Sequence, residues 1–121
     1  NKTKTFVILD AAMNDLLRPA LYKANHQVVP LQEQNSSHNK VDVVGPVCES
    51  GDYLAKEAKL EIKEDEFLAI RTAGAYGFVM SSNYNSRPRA CEVLVEGDDF
   101  RLIRSVIEGI KSYNNEVEYY K

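Results

Sequence analysis

Residues 43–55 read VVGPVCESGDYLA and place a cysteine beside a glutamate, with a backbone break on either side. An apolar, strand-like run ends at Gly45-Pro46, and Ser50-Gly51-Asp52 is a turn signal. In a turn, Cys48 and Glu49 can point toward one cavity, whereas in a strand they would face opposite sides. Either Cys48 is a buried thiol beside an exposed Glu49, which is the commoner role of a free cysteine, or the loop presents both groups to a site.

The composition predicts a single globular domain. The chain has 121 residues, of which 44% are hydrophobic and 27% are charged, so it can bury one core. A net charge of −3 argues against nucleic acid or an anionic membrane as a partner. The apolar runs are too short to span a membrane, and no signal peptide is recognisable. We therefore expect a cytoplasmic protein in which Cys48 and Cys91 are free thiols and the two histidines hold no metal.

Short β patterns recur along the chain and predict a mainly β barrel or sandwich. Runs typical of strands occur at residues 6–9, 26–31, 41–44 and 66–70. The polar stretch 32–40 has the composition of a solvated hairpin loop.

A second hairpin and a few short helices complete the expected elements. Glu96-Gly97-Asp98-Asp99 lies between two strand-like runs, 91–95 and 100–104, which is a hairpin signal. Short helices are predicted from about residue 19 to residue 23 and over residues 53–60, and a terminal helix over residues 106–113.

Two further polar clusters are candidate sites. Arg18 and Tyr22 stand about one helical turn apart, and together they offer a bidentate fork and a neutral donor to a carboxylate or a phosphate. Tyr76 lies between small residues in GAYG, where its hydroxyl could approach a ligand phosphate. The alternatives are a surface arginine over an aromatic side chain, and a packed core tyrosine at a tight turn. Residue spacing does not decide between these interpretations.

Three longer stretches carry a family resemblance. DAAMNDLLRPALY (10–22), VVGPVCESGDYLA (43–55) and GAYGFVMSSNYNSRPR (74–89) resemble, in order and spacing, the C-terminal motifs of the bacterial diaminopimelate decarboxylases. These belong to the fold-type III decarboxylases that depend on pyridoxal phosphate. The resemblance implies that residues 1–121 form the C-terminal β-domain of the alanine racemase/decarboxylase type. The implied reaction converts meso-2,6-diaminopimelate to L-lysine and CO2, with lysine biosynthesis as its context.

The resemblance implies a role for five residues of this sequence. Arg18 and Tyr22 match residues that bind the substrate's carboxylate end. Cys48 matches the cysteine that enters the neighbouring subunit's active site as proton donor in a homodimer. Glu49 matches the acid that binds the distal amino group, and Tyr76 matches a tyrosine that contacts both cofactor phosphate and substrate.

Other parts of the family's site are not found in this sequence. In the family, an N-terminal β/α barrel carries the Schiff-base lysine, a histidine against the pyridine ring and a glycine-rich phosphate loop. None of these motifs occurs in residues 1–121, so we expect this part to be inactive by itself. The chain also has Ala90-Cys91 where the family usually has Pro-Ala, which affects no proposed site residue.

Two alternative functions stay open at this point. The nearer alternative is an ornithine- or arginine-type decarboxylase, because these enzymes have the same fold. Ornithine decarboxylases differ in having Cys-Asp-Gly where this chain has Cys48-Glu49-Ser50-Gly51. A non-catalytic β-domain that binds a partner is the more distant one.

Overall fold

The computed structural model describes residues 4–32 and 39–106. Its elements are short, and strands outnumber helices. In chain order they are β1 (Thr5–Ile8), α1 (Arg18–Tyr22), β2 (Val28–Pro30), β3 (Lys40–Val44), β4 (Tyr53–Lys59), β5 (Leu68–Ile70), α2 (Gly77–Met80), a 3₁₀ turn (Tyr84–Ser86), β6 (Glu92–Glu96) and β7 (Asp99–Arg104).

The seven strands form three separate sheets within the described residues. In the largest, β3 is central, with β1 parallel to it on one side and β4 antiparallel on the other. β2 pairs with β5, and β6 pairs with β7, both antiparallel. The mainly β class is therefore confirmed. The described strands do not close into a barrel, so a sandwich-like packing of sheets is the form that agrees with the structure.

A small core gathers around the central strand. Val41 and Val43 of β3 pack with Leu54 of β4 and with Leu16 and Leu60 from the adjoining loops. Both faces of β3 are covered, because Val41, Asp42 and Val43 are all buried. Burying one aliphatic side chain of this size stabilises a fold by roughly 1.5–3 kcal/mol, so this cluster holds the large sheet together.

Residues 53–60 were predicted to be helical, and that prediction is wrong, because residues 53–59 form β4. The reason lies in the register of the sheet. Val41 and Val43 of β3 pair with Ala58 and Ala55, so three steps along β4 match two along β3. Glu57 supplies the extra residue in a left-handed conformation, with φ of 51°. This bulge spaces the apolar side chains as a helix would.

A buried carboxylate, Asp42, lies behind the same bulge and pairs with the exposed Lys4. The Asp42 carboxylate accepts a hydrogen bond from the Glu57 backbone N–H at 2.9 Å and meets the Lys4 ammonium at 2.6 Å. Burial raises the pKa of Asp42, but the hydrogen bonds from Lys4 and from the Glu57 N–H outweigh it and leave the pKa below the ordinary 3.8. The same hydrogen bond to Asp42 raises the pKa of Lys4 above its ordinary 10.5.

The other strand predictions hold with adjusted bounds. The 26–31 and 66–70 runs contain β2 and β5, which pair with each other, so the polar stretch 32–40 does not join the two strands of a hairpin. The short helix begins at Arg18 rather than at Pro19, and Lys23 ends it in a left-handed conformation. The predicted terminal helix over residues 106–113 lies almost wholly outside the described residues.

The hairpin around Gly97 is confirmed, and most of its apolar side chains are exposed. β6 and β7 pair from Glu92↔Arg104 to Glu96↔Asp99, with Gly97 at φ 63° in the turn. Leu94 is half-buried, while the other large apolar side chains of the hairpin are exposed by 49% or more: Val93, Val95, Phe100, Leu102 and Ile103. Within the described residues, no helix is long and apolar enough to cross a membrane.

Candidate active-site half

The loop between β3 and β4 projects the Cys48–Glu49 pair outward. Both side chains are exposed, so the interpretation of Cys48 as a buried, packed thiol is wrong. The backbone of the loop is closed tightly, since the Glu49 N–H donates to the Val47 carbonyl at 2.8 Å and the Asp52 N–H donates to the Glu49 carbonyl at 3.0 Å. A thiol held at the tip of such a turn is free to reach a group outside this chain.

Asp52 fixes this loop against the preceding motif. The residue is buried, with an exposed fraction of 3%. It accepts the Val47 N–H at 2.9 Å and the Met13 N–H at 2.7 Å. A Cβ atom built on Gly45 would lie 2.3 Å from Asp52 Oδ2 and 2.7 Å from the Cα of Ala12. Glycine at position 45 is therefore required by this close approach.

The Glu49 carboxylate is held by three donors. Its Oε1 accepts the Ser50 hydroxyl and the Gly51 N–H, each at 3.3 Å. Its Oε2 accepts the Tyr84 hydroxyl at 3.4 Å, across 35 residues of sequence. The three donors add no positive charge, so the group keeps the net negative charge that an ammonium ligand requires.

Arg18 and Tyr22 occupy the two ends of α1. Arg18 is the first helical residue and partly exposed, while Tyr22 is the last and 63% exposed. One helical turn separates them, so they lie on the same side of α1. α1 packs beside β4, and a cavity of about 430 Å³ lies between the two elements, lined on the helix side by Pro19, Ala20 and Lys23.

Tyr76 stands at the start of α2 with its side chain 68% exposed, so it is not the packed core tyrosine that one interpretation allowed. Its backbone is left-handed, with φ of 62°, which is uncommon for a bulky residue. A Cβ atom on either Gly74 or Gly77 would meet nothing within 4 Å. Within the described residues, these glycines therefore leave the space beside Tyr76 open.

The α2 segment is anchored through Phe78. The guanidinium groups of Arg89 and Arg104 lie 4.6 Å and 3.9 Å from the centre of the Phe78 ring. Arg89 also donates to the Phe78 carbonyl at 3.1 Å and to the Ser81 hydroxyl at 3.0 Å. Cation–π contacts and backbone capping together hold the turn that carries Tyr76.

Asn14 and Arg87 join the first motif to the third. Asn14 is 2% exposed. Its side-chain amide donates to the Ser82 carbonyl at 3.3 Å, and its backbone carbonyl accepts the Ser82 N–H at 2.9 Å. Arg87 donates to the Asn14 side-chain oxygen at 2.8 Å and to the Asp10 carbonyl. Because Asp52 binds the same 10–16 segment, all three motifs share one hydrogen-bonded frame.

The frame brings some predicted site residues together and leaves others apart. Cys48 and Glu49 share a loop, and Arg18 and Tyr22 share a helix. In the part of the chain that the structure describes, Arg18, Tyr22 and Tyr76 make no side-chain hydrogen bond to Cys48 or Glu49. Glu49 lines a cavity of about 240 Å³ together with Phe6 and Tyr53, and none of the other four predicted site residues lines it.

Sequence reasoning missed four residues of the frame. Asp52, Asn14, Tyr84 and Arg87 are all inside the three quoted motifs, yet none was assigned a role. The signal was present for Asp52, since an acidic side chain two residues after Ser50 in a turn commonly accepts backbone N–H groups. The partners of Asn14 and Arg87 lie 68 and 73 residues away, and no local pattern indicates them.

The described residues contain no cluster of three or more histidine, cysteine, aspartate or glutamate side chains that could hold a metal ion. His26 is buried, with Nδ1 3.2 Å from the Arg71 carbonyl. This contact connects the segment just before β2 to the residue that follows β5, and His26 takes no part in the frame.

Comparisons with known proteins agree with the three motifs. The family described as "Pyridoxal-dependent decarboxylase, C-terminal sheet domain" matches residues 1–74. The diaminopimelate decarboxylase of Vibrio cholerae is 52% identical over 101 residues, which are 84% of this chain and 24% of that protein. The crystal structure of diaminopimelate decarboxylase from Helicobacter pylori complexed with L-lysine has a TM-score of 0.87 at 44% identity, and the match covers 98% of this chain and 29% of that one.

A more distant structure shares the fold alone. The lysine/ornithine decarboxylase of Vibrio vulnificus complexed with cadaverine matches 70% of this chain and 24% of that chain, with a TM-score of 0.59 and 18% identity. The chain spans about a quarter of the length of the curated relatives it matches. Since the family's C-terminal sheet domain matches more than half of the chain, the chain belongs to the pyridoxal-dependent decarboxylases.

Proposed function

We propose that the full-length protein containing this chain is a diaminopimelate decarboxylase, and that residues 1–121 supply half of a shared active site. The observation that carries the proposal is the Cys48–Glu49 loop, which points both side chains outward while a buried Asp52 fixes its backbone. The 52% identity to the Vibrio cholerae enzyme supports the same function. Such an enzyme would work in the cytoplasm and would take a small amino acid as substrate.

The charged residues match the substrate's two ends. meso-2,6-Diaminopimelate carries a carboxylate and an ammonium at each end. Arg18 would bind a carboxylate through its two-pronged guanidinium, with the Tyr22 hydroxyl as a neutral donor. Glu49 would bind the distal ammonium, because its carboxylate is exposed and already oriented by three donors.

The residues around Tyr76 fit pyridoxal phosphate. The exposed hydroxyl can donate to a phosphate oxygen, and the open space at Gly74 and Gly77 lets a bulky group approach the backbone. Bound there, the cofactor would supply the electron sink for the electron pair that remains when CO2 leaves. Tyr76 would hold and orient its phosphate.

Cys48 would deliver the proton that completes the reaction. The carbon that loses CO2 must gain a proton, and a thiol at the tip of a fixed, exposed loop can place Sγ–H beside that carbon. Because the Cys48 thiol is exposed at the tip of its loop, we propose that its target lies on a different surface. We infer that this surface is the active site of a second subunit in a homodimer.

Replacing Cys48 tests the proposal directly. Cys48→Ala in the full-length protein should lower kcat by roughly 10²- to 10⁴-fold, the usual contribution of a positioned acid, while KM changes much less. Cys91→Ala is the matched control, since Cys91 is also an exposed free cysteine but lies outside the three motifs. CO2 release from meso-diaminopimelate is the measurement. Equal turnover by both variants would disprove the proton-donor role.

A substrate panel separates this function from its alternatives. The full-length protein should release CO2 from meso-diaminopimelate and much less from ornithine or arginine, which lack the second carboxylate. Glu49→Ala should raise KM for meso-diaminopimelate by about tenfold or more, because the distal ammonium loses its charged partner. A preference for ornithine would indicate the other decarboxylase class, and no decarboxylation at all would favour a domain that only binds a partner.

A further inference from the structure

We infer that Tyr84 is a positioning residue for Glu49 and a determinant of specificity for a cationic substrate end, an inference that rests on the proposed function. Its hydroxyl donates to Glu49 Oε2 at 3.4 Å. The two other donors to this carboxylate, Ser50 and Gly51, follow Glu49 directly in the loop and move with it. Tyr84 is the donor that connects the carboxylate to a different part of the described chain.

Tyr84 can hold Glu49 in place because its own turn is fixed. The Asn83 amide donates to the Arg87 carbonyl at 2.8 Å and closes the turn. The Tyr84 N–H donates to the Ser82 hydroxyl at 3.3 Å, and Ser82 is bonded through its backbone to the buried Asn14. The hydroxyl position therefore follows from the frame that joins the first and third motifs.

The Glu49 loop is fixed to the same frame from the other side. Asp52 binds the N–H groups of Met13 and Val47, one in each motif. The segment 12–16 is thus a common base for both loops, and the phenol bridges their outer ends. A cavity of about 220 Å³ lies under this bridge, lined by Met13, Asn14, Leu17, Ser82 and Tyr84.

The Glu49 carboxylate has one hydrogen-bond acceptor position left for a ligand once Tyr84 is bound to it. An ionised carboxylate has about four lone-pair positions, and Ser50, Gly51 and Tyr84 occupy three. Two of these donors are on Oε1, so the position that stays open is on Oε2, beside the phenol. An ammonium can donate there, while Tyr84 prevents the carboxylate from rotating away.

The backbone dihedral angles after Tyr84 indicate that contacts from the surrounding residues enforce the shape of this turn. Asn85 and Ser86 are both left-handed, with φ of 61° and 58°. Two consecutive non-glycine residues in this region cost free energy, and such conformations persist where surrounding contacts enforce them. The turn therefore holds Tyr84, which is 48% exposed, over the Glu49 loop.

Tyr84→Phe tests the inference, because it removes the hydroxyl and leaves the ring. In the full-length protein, with meso-2,6-diaminopimelate as substrate, KM should rise roughly three- to tenfold, as expected for one lost hydrogen bond, and kcat should stay within about twofold. Asp98→Asn, in the exposed β6–β7 turn outside the three motifs, is the control and should leave KM unchanged.

A double-mutant cycle shows whether Tyr84 acts through Glu49. If it does, Tyr84→Phe should add little to the KM of Glu49→Ala, since the bridge is already lost. A merely structural role would instead give additive effects and would overturn the inference. If Glu49→Ala raises KM and Tyr84→Phe does not, the inference fails and the proposed function stands. If Glu49→Ala leaves KM unchanged, the proposed distal-end role of Glu49 fails, whatever Tyr84→Phe does.

Discussion

At the scale of single residues, Asp52 is the centre of the candidate site although it touches no proposed ligand. Its buried carboxylate is satisfied by two backbone donors from two different motifs. A buried charge without such donors would cost several kcal/mol, so Asp52 and its donors stabilise one another. The exposed Cys48 and Glu49 depend on this group for their position.

The same substitution to alanine should destabilise the fold at one glycine of the site and leave its stability unchanged at another. Gly45→Ala places a methyl group 2.3 Å from Asp52 Oδ2 and 2.7 Å from the Ala12 Cα, so it should destabilise the fold by about 1–3 kcal/mol, the usual cost of overpacking. Gly74→Ala meets nothing within 4 Å and should leave stability within about 0.5 kcal/mol. Thermal unfolding of the full-length variants measures both. Equal Tm values would contradict the close approach at Gly45.

The site residues differ in how far sequence could predict them. The positions of Cys48, Glu49, Arg18, Tyr22 and Tyr76 came from three motifs, and their roles stay predictions. The exposure of Cys48 did not follow from its residue type, since most free cysteines are packed. The Tyr84–Glu49 contact could not be foreseen either, because it depends on how two loops 35 residues apart fold onto a common base.

At the scale of elements, the bulge in β4 explains both the wrong helix prediction and a backbone hydrogen bond to Asp42. The extra residue at Glu57 disturbs the two-residue alternation, which made residues 53–60 look helical. The β6–β7 hairpin was found because its signal is local, with Gly97 at the turn. The bulge also turns the Glu57 N–H toward Asp42 on the neighbouring strand.

The Asp42–Lys4 pair should make stability depend on pH. The pKa of Asp42 is lowered in the folded state, so its contribution is present above the ordinary 3.8 and is lost as pH falls through the lowered value. Asp42→Asn should therefore lose less stability between pH 7 and pH 3 than the unmodified protein. Asp98→Asn, in the exposed β6–β7 turn, is the control and should behave as the unmodified protein does. Urea unfolding of the full-length variants at both pH values is the measurement, and parallel losses in all three would contradict the assigned role.

At the scale of the whole molecule, the described chain presents its proposed site residues on its surface. Most apolar side chains of β6 and β7 are exposed in the same way, as are Phe6 and Ile8 of the edge strand β1. The chain spans about a quarter of the length of its curated relatives, and we propose that the remainder of a full-length protein covers these surfaces. The proposed shared site can therefore be tested only in the assembled protein.

Mixed dimers test whether the site is shared. Full-length Cys48→Ala and full-length Tyr76→Ala should each have low activity. When the two variants are co-expressed, random assembly makes half of the dimers mixed. If Cys48 serves the partner's site and Tyr76 serves the site of its own subunit, each mixed dimer has one site with both residues unchanged. Activity should then recover to about a quarter of the unmodified level, as random two-fold assembly requires. Activity no higher than the mean of the two parent variants would contradict a shared site.

The buried Asp52 has a consequence for protein engineering. A designer who wished to change the substrate range would transplant the Cys48–Glu49 loop from a relative with a different sequence there. The transplant would have to keep an acid at 52, which accepts the N–H groups of Met13 and Val47, and a glycine at 45, which allows the close approach to Asp52 and Ala12. The Met13 donor belongs to the backbone and stays in place, so a graft that keeps these two residues should position the loop, whereas a graft that loses either one should yield a folded protein with a misplaced thiol.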